Sequence, residues 1–288
     1  MSPGSPLSCP LCGSASVPWR QLDGAELGRC GTCGSAFQLR APGPEEIEAL
    51  YQGEYFDSWN LKEAYASVEN MKRRTARRIL EGLSRWVQPG RLLDVGCALG
   101  FLLDEARVLG WDAYGVEISP FAAKRAQERF GPRVSQGTLE TLEASAGSFR
   151  AITMIDSIEH VARPGALVRR ARELLEPGGV LTLLTPDLGS ISARLFGSRW
   201  PHFKREHLFY ATRRGLSRMM EAAGFEPLLV ASAPKILTLD YVAGVAQAYP
   251  VPIMTPLLSG LRRTLPDRLR RLPVCLPAGE LLAYFRRQ

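Results

Sequence analysis

The chain has 288 residues, 45% of them hydrophobic and 23% charged, with a net charge of +7. This length allows one large domain with attachments, and the apolar fraction excludes global disorder. No run approaches the roughly 18 uncharged apolar residues of a membrane span, and the first ten residues lack the basic and apolar regions of a secretory signal, so a cytoplasmic protein is expected.

Four of the six cysteines stand near the N-terminus, as Cys9-Pro-Leu-Cys12 and Cys30-Gly-Thr-Cys33, with seventeen residues between the pairs. A two-residue spacing lets one turn present two thiolates to a single ion. Gly13 and Gly34 permit the tight left-handed geometry of a knuckle. Four thiolates close a tetrahedron, so Cys9, Cys12, Cys30 and Cys33 are expected to hold a structural zinc in a module over residues 1–43. Cys97 and Cys275 lie apart and read as small apolar residues.

A Pro/Gly break at 41–44 ends the module. Residues 44–88 have helical spacing, with Ile47, Leu50 and Tyr51 followed by Met71, Thr75, Ile79, Leu83 and Trp86, and are expected to form a helical linker or cap. After Gly90 short apolar runs alternate with amphipathic stretches, the pattern of a parallel sheet with crossover helices. Strands are predicted over 91–95, 113–116, 133–135, 151–155, 180–185 and 228–230, and helices over 101–109, 120–130, 164–175 and 212–222. Ser119, Pro120 and Gly131 supply a cap, a first-turn proline and a terminator for one of these helices. Domain boundaries are set at 89–232 for the sheet and 233–288 for a C-terminal extension with a last strand over 280–285. The aromatic stretch 187–210 and the apolar 231–278 do not fit a minimal doubly wound domain; both are expected to be lids or acceptor-binding elements.

The central feature is Leu92-Leu-Asp-Val-Gly-Cys-Ala-Leu-Gly100, a buried strand running into a glycine-containing turn and a helix start. Gly96 and Gly100 let backbone approach a ligand, and Glu117 follows twenty-one residues after Gly96, where a carboxylate reaches ribose hydroxyls. The turn lacks the G-x-G-x-x-G of a pyrophosphate cradle, so the ligand is not read as a dinucleotide. This order of residues resembles the class I S-adenosylmethionine-dependent methyltransferases. Leu93–Gly100 is similar to their first motif, Gly115–Ser119 to their second, Ile155–Val161 to the segment after their fourth strand, and Leu175–Val180 to the turn before their fifth. Glu206–Tyr210 with Ala223-Gly-Phe225 resembles a subgroup acting on small molecules and on sugar or lipid precursors, many of which begin with a cysteine-knuckle module. The resemblance implies an α/β, doubly wound (Rossmann-like) sheet with a zinc-ribbon module and lid elements. It also implies S-adenosylmethionine as cofactor, contacted by Asp94, Gly96, Ala98, Gly100, Glu117, Ile118, Thr138 and Asp156. Asp94 and Gly96 lie along the methionine part, Glu117 on the ribose and Ile118 on the adenine. Ala98 replaces the middle glycine, Thr138 an acid that accepts from adenine, and Arg150 an aspartate.

The sulfonium is already activated, so transfer asks mainly for in-line positioning, with a base only where the acceptor must lose a proton. His160 and His207 are the candidates for that base, His202 the third, and Asp156 and Glu159 are read as loop-ordering groups. No second metal cluster is visible, which disfavours magnesium-dependent transfer. The acceptor is expected to be a small molecule methylated on oxygen, a natural-product, sugar or lipid-linked precursor. The alternatives are an RNA-modifying enzyme and a non-catalytic S-adenosylmethionine-binding protein. Base-methylating motifs are absent, so nucleic acid is disfavoured. Phe196, Trp200 and the Arg-rich tail suggest peripheral membrane contact. Three arginine groups, around 73–78, 213–218 and 262–271, read as solvated helix faces, with phosphate, nucleic acid or an anionic membrane as the other reading. Nothing in the sequence sets the oligomeric state.

Overall fold

The computed structural model describes residues 7–22, 24–40, 43, 65–248, 250, 252 and 254–288. The expected helix through Ile47, Leu50 and Tyr51 lies outside the described residues. Chain order is β1 (Ser16–Leu22), β2 (Ala25–Cys30), β3 (Ala36–Gln38), α1 (Tyr65–Leu83), β4 (Arg91–Val95), α2 (Phe101–Val108), β5 (Asp112–Glu117), α3 (Pro120–Phe130), β6 (Val134–Gln136), β7 (Phe149–Ile155), α4 (Pro164–Leu174) and β8 (Leu175–Pro186). It continues through α5 (Ile191–Phe196), β9 (Phe209–Tyr210), α6 (Arg213–Ala222), β10 (Phe225–Leu237), α7 (Leu239–Ala248), α8 (Met254–Thr264), α9 (Asp267–Arg270) and β11 (Val274–Arg287).

Seven strands form the main sheet in the order β10-β11-β8-β7-β4-β5-β6. The five from β4 to β8 run parallel, and β11 is antiparallel to both neighbours. β4 is buried at four of its five residues because crossover helices cover both faces of a parallel sheet. The chain winds from β4 to β5 and β6 on one side, then returns to β7 and β8 on the other. The gap beyond the carboxyl ends of β4 and β7 is therefore the switch point where such sheets bind ligands. α3 forms as its sequence predicts: the Ser119 side chain accepts from Ala122 N, Pro120 opens the helix and Gly131 ends it at a φ of 58°.

Two expected boundaries differ. The one between 232 and 233 falls inside β10, and β11 lies between β10 and β8, so the C-terminal segment completes the main sheet. The cysteine module likewise shares its small antiparallel sheet, β1-β2-β3-β9, with a strand from the later aromatic stretch, pairing Ala36 with Tyr210 and Phe37 with Phe209. Cys9, Leu11, Cys30, Cys33 and Phe37 join one continuous core with Leu216, Met219 and Leu183 of the main domain. In the aromatic stretch Trp200 is only 1% exposed, packed with Leu27, Phe203 and Tyr210. It seats the module on the sheet instead of facing a lipid surface, which corrects the expectation of membrane contact through that residue. No described helix is long and apolar enough to cross a membrane.

Candidate active site

The turn after β4 is held from below. Gly96 N and Cys97 N both donate to Val116 O, at 2.8 and 3.2 Å, pinning the turn across the end of β5. Gly96, Ala98 and Gly100 all have positive φ, at 76°, 47° and 81°. An alanine at 47° is strained where a glycine would not be, so its conformation needs support. Glu117 provides it, its Oε2 accepting from Ala98 N and its Oε1 from Ser119 N, both at 2.8 Å. Each oxygen keeps a further lone pair for ligand hydroxyls. The two glycines serve the protein as much as a ligand: a Cβ on Gly100 would strike the Phe130 ring, and one on Gly96 would come within 2.9 Å of Ser157 Cβ.

Around this turn stand the groups expected to touch the cofactor. Asp94 is buried and accepts from Thr153 Oγ1 at 2.7 Å; burial raises its carboxyl to about 7. Burial also raises Glu117, against the pull of its backbone donors. Ile118 is 41% exposed, an apolar side chain open beside the Glu117 carboxylate. Thr138, beyond β6, is tied to Thr141, whose N it accepts from at 3.4 Å. Ser157 Oγ, next to Gly96, is buried without a hydrogen-bond partner among the described residues; it lies in the Ile155–Val161 segment but is not among the expected site residues. The exposed apolar side chain, the two-oxygen carboxylate and the orphaned hydroxyl fit a nucleoside with a polar tail.

Asp156 is placed differently. Its backbone has a φ of 52°, and its carboxylate pairs with Lys235 at 3.1 Å and Lys72 at 3.4 Å. Burial opposes its ionisation, yet Lys235 and then Lys72 hold it well below the usual carboxylate range. Through these lysines it ties α1 and β10 to the end of β7. Lys235 also meets Glu280, 1% exposed at the start of the β11–β8 pairing. His202 Nδ1 lies 3.9 Å from the same carboxylate. Sequence reasoning missed Lys235 and Glu280. The available signal was a lone charge inside an apolar strand-like run at each position.

His160 and His207 come together, ring centroids 4.8 Å apart and nearly perpendicular. His160 Nδ1 donates to Glu206 O at 3.1 Å, which assigns the remaining lone pair to Nε2. Burial lowers His160 to about 4 and His207 well below its ordinary value, so both rings are neutral near pH 7. Glu159 is buried and accepts from Thr185 Oγ1 at 3.0 Å, and burial, then Asp156, raises it to about 8. Ligand atoms of Glu159, His160 and His207 all lie within 4.8 Å of one another, a grouping the sequence did not reveal. Their separation in sequence hid them.

The four cysteines converge as predicted. Cys9 Sγ lies 3.7 Å from Cys33 Sγ, and Cys12 Sγ 3.6 Å from Cys30 Sγ. Such spacings are far too long for disulfides of ~2.05 Å, and close to the ~3.8 Å edge of a tetrahedron with Zn–S bonds of ~2.3 Å. This donor set fits a zinc ion, which four thiolates would enclose with no open position, as at a structural site.

Residues 67–230 match a family described as methyltransferase domain. Among curated proteins, the chain is 32% identical over 148 residues to a ubiquinone biosynthesis O-methyltransferase of Azorhizobium caulinodans, covering 47% of this chain and 58% of that protein. It is 34% identical over 134 residues to one of Psychrobacter cryohalolentis, covering 44% and 49%. The chain thus spans about half to three-fifths of the length of these relatives. Among solved structures, a SAM-dependent methyltransferase from Thermotoga maritima aligns with a TM-score of 0.55 at 20% identity, over 84% of this chain and 98% of that one. The YcgJ protein of Bacillus subtilis aligns with a TM-score of 0.50 at 16% identity, over 74% and 98%. These two likenesses establish the class I methyltransferase sheet as the fold.

Proposed function

The chain belongs to the methyltransferase-domain family, and on that premise we propose that it transfers the methyl group of S-adenosylmethionine to a hydroxyl oxygen of a small-molecule acceptor. The observation that carries this is the Gly96–Gly100 turn locked to the Glu117 carboxylate at the switch point of the sheet. Asp94 and Ser157 would hold the methionine end, Glu117 the ribose and Ile118 the adenine face. The cofactor supplies an activated methyl; the chain orients an acceptor oxygen in line with it. The neutral His160–His207 pair is the receiver for the hydroxyl proton, with Nε2 of His160 as the accepting atom. A natural-product, sugar or lipid-linked precursor suits a site walled by buried aromatics and fixed charges. The relatives named for ubiquinone biosynthesis support an O-directed acceptor.

A second reading of the same cluster is favoured by one observation: His207 Nδ1 is buried without a partner among the described residues. Glu159, His160 and His207 would then hold a divalent cation that draws the acceptor hydroxyl towards deprotonation. Transfer from labelled cofactor to fractionated cell extract, measured on zinc-loaded protein with and without added magnesium or manganese, separates the two. Metal-independent transfer into the small-molecule pool supports the imidazole base, and label confined to RNA overturns the acceptor class. Absence of calorimetric affinity for S-adenosylhomocysteine overturns the whole reading.

A further inference from the structure

Two of the three arginine groups are partly paired with acids within the fold. Arg73 and Arg77 pair with Asp104 and Glu105 of α2, while Arg262, Arg270 and Arg271 pair with Asp240 and Asp267. The middle group is different. Arg213 and Arg214 begin α6, a helix with no acidic residue in its first turn, and neither makes an ion pair among the described residues. Cations there face the positive end of the helix macrodipole, an arrangement that costs stability unless an anion is bound. They line a cleft of about 490 Å³ together with Arg29 of β2 and Arg194 of α5, which are also without ion pairs among the described residues. Among the described residues the one acid lining it is Asp187, whose Oδ1 accepts from Gly189 N at 2.8 Å. Four guanidiniums thus surround a single carboxylate in a concavity of small-ligand size.

We propose that this cleft binds the phosphate or diphosphate group of the acceptor. Guanidinium forks match phosphate oxygens bidentately, and several around one pocket suit a group of charge −2 or more. The cleft begins close along β8 to the residues packed on the histidine pair, although neither histidine lines it. Thr185 of β8 donates to Glu159 beside the histidine pair, and Asp187 lies two residues on, roughly 7 Å away along an extended chain. A small phosphorylated molecule spans that distance, with its hydroxyl at the histidines and its anion in the cleft. The inference rests on the proposed transfer reaction only in assigning the anion to the acceptor.

The test is a titration with inorganic pyrophosphate, followed by calorimetry, on zinc-loaded wild type and on the Arg213→Ala/Arg214→Ala variant. Saturable 1:1 binding is expected in the wild type, weakened about tenfold or more in the variant, since charge-assisted contacts to the anion are lost. S-Adenosylhomocysteine affinity should agree within about twofold between the two proteins, which reports an intact fold and cofactor pocket independently of the cleft. A charge reversal, Arg194→Glu, should weaken pyrophosphate further without changing the nucleoside. No saturable pyrophosphate binding at millimolar concentration, or binding unaffected by both variants, overturns the proposal. So does a wild type that ignores pyrophosphate while single-stranded RNA, or vesicles containing phosphatidylglycerol, bind it through Arg213 and Arg214.

Discussion

Both oxygens of Glu117 are occupied by backbone donors, so the carboxylate shapes the turn and presents lone pairs at once. Glu117→Gln places an amide NH2 against either Ala98 N or Ser119 N, and the strained Ala98 loses its support. We expect S-adenosylhomocysteine affinity to fall about 10- to 100-fold, as for a lost hydrogen bond to a charged group. Calorimetry checks this, and an unchanged Kd would remove Glu117 from the site. A second residue-level expectation concerns pH. Glu280, raised by burial to about 7 against the pull of Lys235, ionises near 4.5 when unfolded. Between those values the folded protein keeps a proton that the unfolded chain has lost. Its contribution to stability is therefore complete below about pH 4.5 and disappears as pH rises through 7. Glu280→Gln cannot ionise, so its Tm should fall less than that of the wild type between about pH 4.5 and 7. Parallel Tm profiles would contradict this.

At the level of elements, α6 is tied to the second cysteine knuckle by one residue. Thr212 caps the helix by accepting from Gly215 N at 3.1 Å, donates from its hydroxyl to Cys33 O at 2.6 Å, and donates from its own N to Ser35 Oγ at 3.1 Å. Thr212→Ala should cost about 1–2 kcal/mol and lower Tm by a few degrees, with Thr212→Ser restoring most of it. Equal Tm values for both variants would mean the cap contributes nothing. This contact also shows what the sequence could and could not reveal. The strands and helices from β4 to β8 were legible because buried parallel strands and capped amphipathic helices carry local signals. So was the cofactor turn, whose residues are consecutive. The partnership of Thr212 with Cys33 is 179 residues long-range and leaves no local mark. The pairing of His160 with His207, the Lys235–Glu280 contact and the burial of Trp200 under the module were hidden for the same reason. Each depends on how distant segments meet, whereas periodicity reports only which face of one segment is apolar.

At the scale of the molecule, the cysteine module is continuous with the histidine loop that the proposed reaction assigns to the acceptor. Its sheet is completed by β9, two residues after His207, and its core runs into that of the main domain. Gln38 Nε2 donates to Arg205 O at 2.8 Å and to His207 O at 3.0 Å, so β3 fixes the backbone of the histidine loop directly. The turn after β4 that Glu117 supports takes no backbone hydrogen bond from the module among the described residues. If the four cysteines hold a zinc ion, removing it would leave four clustered thiols with nothing to hold them, and a module this small has little core of its own. Chelation should therefore loosen residues 202–212 while leaving β4, β5 and α2 closed. Amide hydrogen exchange is expected to show lost protection over β2, β3 and β9, with protection of β4 and β5 kept within about tenfold. S-Adenosylhomocysteine binding should survive, and methyl transfer should fall, because cofactor and acceptor are held by regions with different dependence on the metal. If chelated protein keeps β9 protected and transfers at the original rate, the module is an appendage to the fold. If nucleoside binding disappears together with β9 protection, the two halves form one cooperative unit and the division argued here fails.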